Sequence, residues 1–115
     1  MRKRKAGKKF HRTRDQRRAL MKSLARNLIT HQKILTTEAK AKELRPFVEK
    51  LVTKARQENV ASVRYLLTYF DDTTVYKLTK EIAPKYMDRP GGYTRITKVM
   101  PQGRSIAKSA YIEFV

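Results

Sequence analysis

Ten of the first eighteen residues are lysine or arginine: Arg2, Lys3, Arg4, Lys5, Lys8, Lys9, Arg12, Arg14, Arg17 and Arg18, with His11 among them and Asp15 as the only acid. Side chains of this type and density neutralise closely spaced phosphates, and the counterions they release make such binding strong and salt-sensitive. The same stretch offers only Met1, Ala6 and Phe10 as apolar surface. Burial within the chain therefore cannot offset the entropy of ordering it. The expectation is an extended basic arm over residues 1–13 that takes its order from a polyanion, followed by a single domain over 14–115.

Two further groups extend the cationic surface. Arg14, Arg18, Lys22 and Arg26 recur every four residues, so on a helix they share one edge for roughly 18 Å. Like charges in a row cost helix stability unless an anion lies against them. A solvated basic face is the plainer reading, but direct continuation of the arm favours a face turned to phosphate. The second group is Gly91-Gly92-Tyr93-Thr94-Arg95, which lacks the G-x-G-x-x-G or G-K-S/T context of nucleotide-binding loops. Its glycines permit close backbone approach, the Tyr93 ring could stack on an unpaired base, and Arg95 could fork onto a phosphate. Against this stands a Tyr93 that packs in the core at the start of a hairpin. Arg104 and Lys108, near Gly103, belong to a connection expected to be mobile and basic.

Composition narrows the partner. The formal charge is +18 at a pI near 10.6. The first eighteen residues carry +9 of it, and the remaining eighteen basic and nine acidic residues carry another +9, so the domain is basic too. A polyanion is implied, nucleic acid before membrane surface. No apolar run approaches the roughly 18 residues of a spanning helix, and no hydrophobic segment of a secretory signal follows the N-terminal charges. An organellar presequence would need an apolar helical face that the arm lacks.

Catalytic and metal chemistry find little support. Without cysteine there is no disulfide, thiolate nucleophile or cysteine-ligated zinc. Neither His11 nor His31 has a spaced carboxylate or second histidine to complete a metal site or a nucleophile–base pair. Asp71 and Asp72 read as a helix cap, and Glu38, Glu43 and Glu49 as surface counter-charges. The expectation is a non-enzyme with no cofactor, no metal and no small-molecule substrate.

The elements that must position these groups follow from periodicity. A helix is predicted over 16–30 with Asp15 as N-cap, and a strand over 32–37. Thr36 or Thr37 caps a second helix over 38–57, with Leu44, Phe47, Val48, Leu51, Val52 and Ala55 inward. Pro46 predicts a kink in it or a break near Leu44. A third helix from Asn59 buries Val63, Leu66, Leu67 and Phe70. A fourth, beginning at Thr73 or Thr74, buries Val75, Leu78 and Ile82 and stops before Pro84. Strands follow over 93–100 and 110–115, the second with Ala110, Ile112 and Phe114 inward. Tyr65, Tyr69, Tyr76, Tyr86 and Tyr111 are expected at core edges. The layout is an α+β two-layer domain, about four helices on a small antiparallel sheet.

Three separated motifs carry a resemblance. The opening MRKRKAGKKFHRT, the run Ile34-Leu35-Thr36-Thr37 with Ala39-Lys40-Ala41-Lys42-Glu43-Leu44-Arg45, and Gly91-Gly92-Tyr93-Thr94-Arg95-Ile96 resemble the bacterial-type large-subunit ribosomal protein L-seventeen family in order and spacing from Met1 to Val115. Pro46 departs from that pattern. The resemblance implies a three-stranded antiparallel sheet and an arm that penetrates ribosomal RNA. It also implies a structural role in the large subunit of cytoplasmic ribosomes, near the polypeptide exit tunnel and beside other ribosomal proteins. Large-subunit rRNA would be met by Arg2, Lys3, Arg4, Lys5, Lys8, Lys9, His11, Arg12, Arg14, Arg17, Arg18, Lys22, Arg26, Gly91, Gly92, Tyr93, Thr94, Arg95 and Arg104. The competing expectation is an arm-bearing, DNA-binding regulatory or chromatin-like protein.

Overall fold

The computed structural model describes residues 13–99 and 108–115. The expected contacts Arg2, Lys3, Arg4, Lys5, Lys8, Lys9, His11, Arg12 and Arg104 lie outside these residues, as does most of the 101–108 connection.

Helix α1 (Arg14–His31) begins earlier than the sequence predicted, because Thr13 and not Asp15 is its N-cap. The Thr13 hydroxyl accepts from the Gln16 N–H at 3.3 Å, and the Gln16 side chain accepts from the Thr13 N–H at 3.1 Å. This reciprocal box satisfies two orphan donors and leaves Asp15 in the first turn, where its charge suits the helix dipole. The helix stops where Gln32 turns left-handed, at φ 64°, with its N–H on the Leu28 carbonyl at 2.6 Å. No glycine marks that turn.

Strand β1 (Lys33–Thr37) passes directly into α2 (Glu38–Arg56), whose N-cap is Thr37. Ala41, Leu44, Val48, Leu51, Val52 and Ala55 are buried along one stripe, and Phe47 packs against the core beside them. The expected break near Leu44 does not occur. Pro46 is exposed, as is Lys42, whose carbonyl loses its helical donor, so water can satisfy that carbonyl while buried residues on both sides hold the helix in register.

Asn59 caps α3 (Val60–Leu67) through a second reciprocal box with Ser62. Leu66 and Phe70 are buried and Val63 is half-buried, but Leu67, predicted inward, is exposed. The helix is only eight residues long and one buried row suffices to hold it. Asp71 caps α4 (Asp72–Lys77), and Pro84 does not end the coil. The backbone widens into a π turn (Leu78–Ile82) and then tightens into a 3₁₀ turn (Ala83–Tyr86), which admits proline in its first turn. Val75, Leu78 and Ile82 are buried as predicted.

Strands β2 (Thr94–Val99) and β3 (Ser109–Phe114) pair antiparallel, and β1 adds to the other edge of β3. Ile34, Ile112 and Ile96 form one cross-strand row on the face that α2 covers. Lys33, Glu113 and Arg95 form a row on the opposite face, where Glu113 lies 3.9 Å from Lys33 and 3.4 Å from Arg95. Ala110 and Ile112 are buried and Phe114 packs against the core. The two-layer α+β arrangement of helices on a three-stranded antiparallel sheet is therefore the observed one.

The junction of α1 with α4 is electrostatic. Hydrogen bonds from the Thr74 side chain and N–H, and then the charge of Arg26 3.5 Å away, hold the Asp71 carboxyl below its ordinary range. A depressed folded-state pKa stabilises the fold above the unfolded value, and that contribution is lost as pH falls through the folded one. Asp71→Asn keeps a good cap without a titrating group. It is expected to flatten the acid limb of Tm against pH, below the ordinary carboxylate range, and an unchanged limb would remove Asp71 from this role.

Candidate nucleic-acid interface

The α1 stripe is set by the helix and by what the helix packs on. Its apolar side buries Ala25, Leu28 and Ile29 against the core, which turns the cationic edge outward. Arg14, Arg18 and Arg26 are exposed, while Arg17 and Lys22 are half-buried. The four stripe cations are not equivalent. Arg26 faces Asp71, and Lys22 donates to the Thr68 carbonyl at 3.3 Å while lying 5.4 Å from the centre of the Tyr69 ring. Among the described residues Arg14 and Arg18 have no acidic partner. They stand on the first two turns of the helix, next in sequence to the most basic stretch of the chain. The buried Arg17 Nε has no hydrogen-bond partner among the described residues.

Beside the stripe lies a polar cleft of about 390 Å³ lined by Lys22, Ser23, Arg26, Asn27, Thr30 and Tyr69. Lys77 reaches its rim by donating to the Thr30 carbonyl at 2.6 Å. Cations, hydroxyls and an amide around one concavity suit phosphate and sugar oxygens, which accept from all three.

The Gly91–Arg95 motif is divided by the fold. Tyr93 is fully buried, so it has no face for a base and the expected stacking role is corrected. Its hydroxyl accepts from Arg56 Nη1 at 2.7 Å and lies 3.2 Å from the Thr53 hydroxyl, and its ring packs 5.2 Å from that of Tyr86. Thr94 is only 3% exposed and is corrected likewise: its N–H and hydroxyl both donate to Glu49, at 3.3 and 2.9 Å. Glu49 also accepts from Arg45 at 3.5 Å, so this carboxylate ties α2 to β2 rather than acting as a loose counter-charge. Gly92 adopts φ +67°, where a side chain would strain the turn. Gly91 is half-buried, and Gly92 and Arg95 are exposed, Arg95 beside Glu113 on the open face of the sheet.

Sequence reasoning missed a second concavity. A groove of about 590 Å³ runs between α2 and the Pro90-Gly91 turn, with Lys50 and Lys54 on one side and Tyr65 of α3 against them. Its signal was the spacing of Pro46, Lys50, Lys54 and Gln57 along the polar side of α2, which only the placement of α3 converts into a groove. Among the described residues no group of three or more His, Asp or Glu could hold a metal ion, and no helix is long and apolar enough to cross a membrane.

A family model described as ribosomal protein L17 matches residues 20–115. The chain belongs to the ribosomal protein L17 family. Its L17 relatives include the large ribosomal subunit protein bL17 of Persephonella marina, 52% identical over the whole of this chain and 95% of the relative. The bL17 of Rickettsia bellii is 46% identical over 95% of this chain and 78% of its own length. That of Desulfitobacterium hafniense is 43% identical over 96% and 99% respectively.

In this L17-family chain the Tyr93 hydroxyl is the partner of a half-buried guanidinium. Tyr93→Phe keeps the ring and removes the acceptor of Arg56 Nη1, while Nη2 keeps the Met87 carbonyl at 2.9 Å, so a loss of about 1.5–3 kcal/mol in urea unfolding, with the m-value unchanged, is expected. An unmoved midpoint would show that the hydroxyl contributes nothing to the fold.

Proposed function

We infer that this chain is a structural component of the large ribosomal subunit that binds and stabilises rRNA. The observation that carries the reading is L17 family membership, with relatives named as large ribosomal subunit proteins along 95% or more of the chain. The physical chemistry supports it: a charge of +18 on a small domain needs a polyanion. Residues 1–13 act as the arm and 14–115 as the body that anchors it. Arg2, Lys3, Arg4, Lys5, Lys8, Lys9, His11 and Arg12 thread among RNA helices. Arg14, Arg17, Arg18, Lys22 and Arg26 continue the interface along α1, and Gly91, Gly92, Arg95 and Arg104 add to it from the turn, sheet and β2–β3 connection. The role is non-catalytic, in cytoplasmic ribosomes, near the polypeptide exit tunnel and beside neighbouring ribosomal proteins. No observation favours the DNA-binding reading.

Deleting residues 2–12 is expected to leave the domain folded, with its circular dichroism and unfolding midpoint retained, and to remove most affinity for large-subunit rRNA together with its salt dependence. Equal affinity of the truncated protein at every salt concentration would overturn the mechanism. Arg14→Gln with Arg18→Gln is expected to lower the slope of log K against log salt by about 0.7–0.9 for each phosphate that is no longer neutralised. No loss of helix stability should accompany it, because two like charges on one edge are removed. An unchanged slope would take the α1 edge out of the interface.

A further inference from the structure

We propose that the domain carries a second RNA-binding surface, a track for a single-stranded segment running from the α1 stripe across Tyr69 and Tyr65 into the groove at Gly91. This rests on the rRNA-binding reading and adds to it a site that the arm does not supply. Along the track cations and rings succeed one another. The Lys22 ammonium lies 5.4 Å from the Tyr69 ring centre, the Tyr69 and Tyr65 rings are 5.4 Å apart with their hydroxyls at 3.4 Å, and the Lys54 ammonium lies 5.3 Å from the Tyr65 ring centre. The cleft beside α1 is lined by Tyr69 and the groove on α2 by Tyr65, so the ring pair joins the two concavities.

Two observations point outward from the chain. Tyr65 keeps 40% of its surface exposed, although Phe47 and Phe70 nearby pack against or within the core. Gly91 is not at positive φ, and a Cβ built there would meet nothing within 4 Å, so nothing among the described residues requires glycine at that wall of the groove. Gly92 beside it has such a reason in its φ of +67°, which makes Gly91 the exception. Absence of a side chain at Gly91 keeps the groove open to an occupant.

The chemistry selects an unpaired strand. Bases laid on Tyr65 gain stacking that any base can supply, while Lys50 and Lys54 follow the phosphates. A duplex hides its base faces and would use the lysines without the rings. The Glu49 carboxylate lines the groove, but it accepts from Arg45 and from both donors of Thr94, which offsets its repulsion of phosphate.

The test measures binding of the full chain to a large-subunit rRNA transcript, and ultraviolet crosslinking within assembled large subunits. Tyr65→Ala is expected to weaken binding about 5- to 100-fold, and Gly91→Val to weaken it also with an unchanged unfolding midpoint, since the added side chain enters open space. Tyr76→Ala, at a residue 63% exposed outside both concavities, is expected to bind as wild type. Nucleotide adducts on the peptides holding Lys54 and Tyr65 would support the track. Wild-type affinity for both Tyr65→Ala and Gly91→Val, with the 2–12 deletion still defective, would overturn the track and leave the rRNA reading standing. Crosslinks from Tyr65 to a protein neighbour instead of nucleotides would also overturn it. A wild-type chain with no affinity for the transcript would remove both.

Discussion

Burial of one helix is the constraint to which the other elements are fitted. The apolar stripe of α2, from Ala41 to Ala55, meets α1, α3, the turns after α4 and all three strands. Each buried aliphatic side chain there contributes on the order of 1.5–3 kcal/mol relative to exposure, and no other element offers so long an uninterrupted row. Its two ends fix what surrounds it. At the start, Thr37 both closes β1 and caps the helix, and the Glu38 N–H donates to the Lys108 carbonyl at 3.0 Å, which holds the beginning of β3 in place. Near the end, Arg56 donates to the Tyr93 hydroxyl, which also lies 3.2 Å from the Thr53 hydroxyl, and Glu49 accepts from Thr94, which sets the start of β2. The sheet is thus registered against α2 at both ends of the helix.

This fixed body also disposes of charge. Acids are few, and four of those described, Glu38, Glu49, Asp71 and Glu113, each do more than one task. Glu38 lies 3.0 Å from Lys42 and 3.5 Å from Lys98, and the Lys42 hydrogen bond lowers its pKa. Glu113 serves Lys33 and Arg95, and Asp71 serves Arg26 and a helix start. The acids so placed sit where elements meet, which relieves repulsion at the junctions and leaves Arg14 and Arg18 in the first turns of α1 without an ion-pair partner among the described residues. Arg14 and Arg18 thus keep their charge unneutralised next in sequence to the most basic stretch of the chain, and a polyanion drawn to one is drawn to the other.

Much of the fold was readable from the order of residues alone. The four-residue recurrence in α1, the long stripe of α2 and the alternation of Ala110, Ile112 and Phe114 each reflect a local periodicity that burial enforces. Errors fell where local signals compete with packing. Asp15 looked like a cap, but Thr13 with Gln16 makes two hydrogen bonds where Asp15 would make one. Pro46 looked like a break, yet it sits on the exposed side of a helix already anchored on the other. The turn at Gln32 carries no sequence mark at all, because a left-handed glutamine is imposed by the union of α1 with β1.

The candidate site divides in the same way. Type and spacing alone determined that the chain is strongly basic, with its densest charge in the first eighteen residues and a cationic edge on the helix that follows, because net charge and the 3.6-residue period do not depend on distant contacts. Only the tertiary structure decided which members of the Gly91–Arg95 run face solvent, turning Tyr93 and Thr94 inward to Arg56 and Glu49 and leaving Gly91 open. It alone brought Lys22, Tyr69, Tyr65 and Lys54 together from three separate stretches of chain. Those are long-range partnerships, set by how α1, α2 and α3 pack, and no local rule of spacing encodes them.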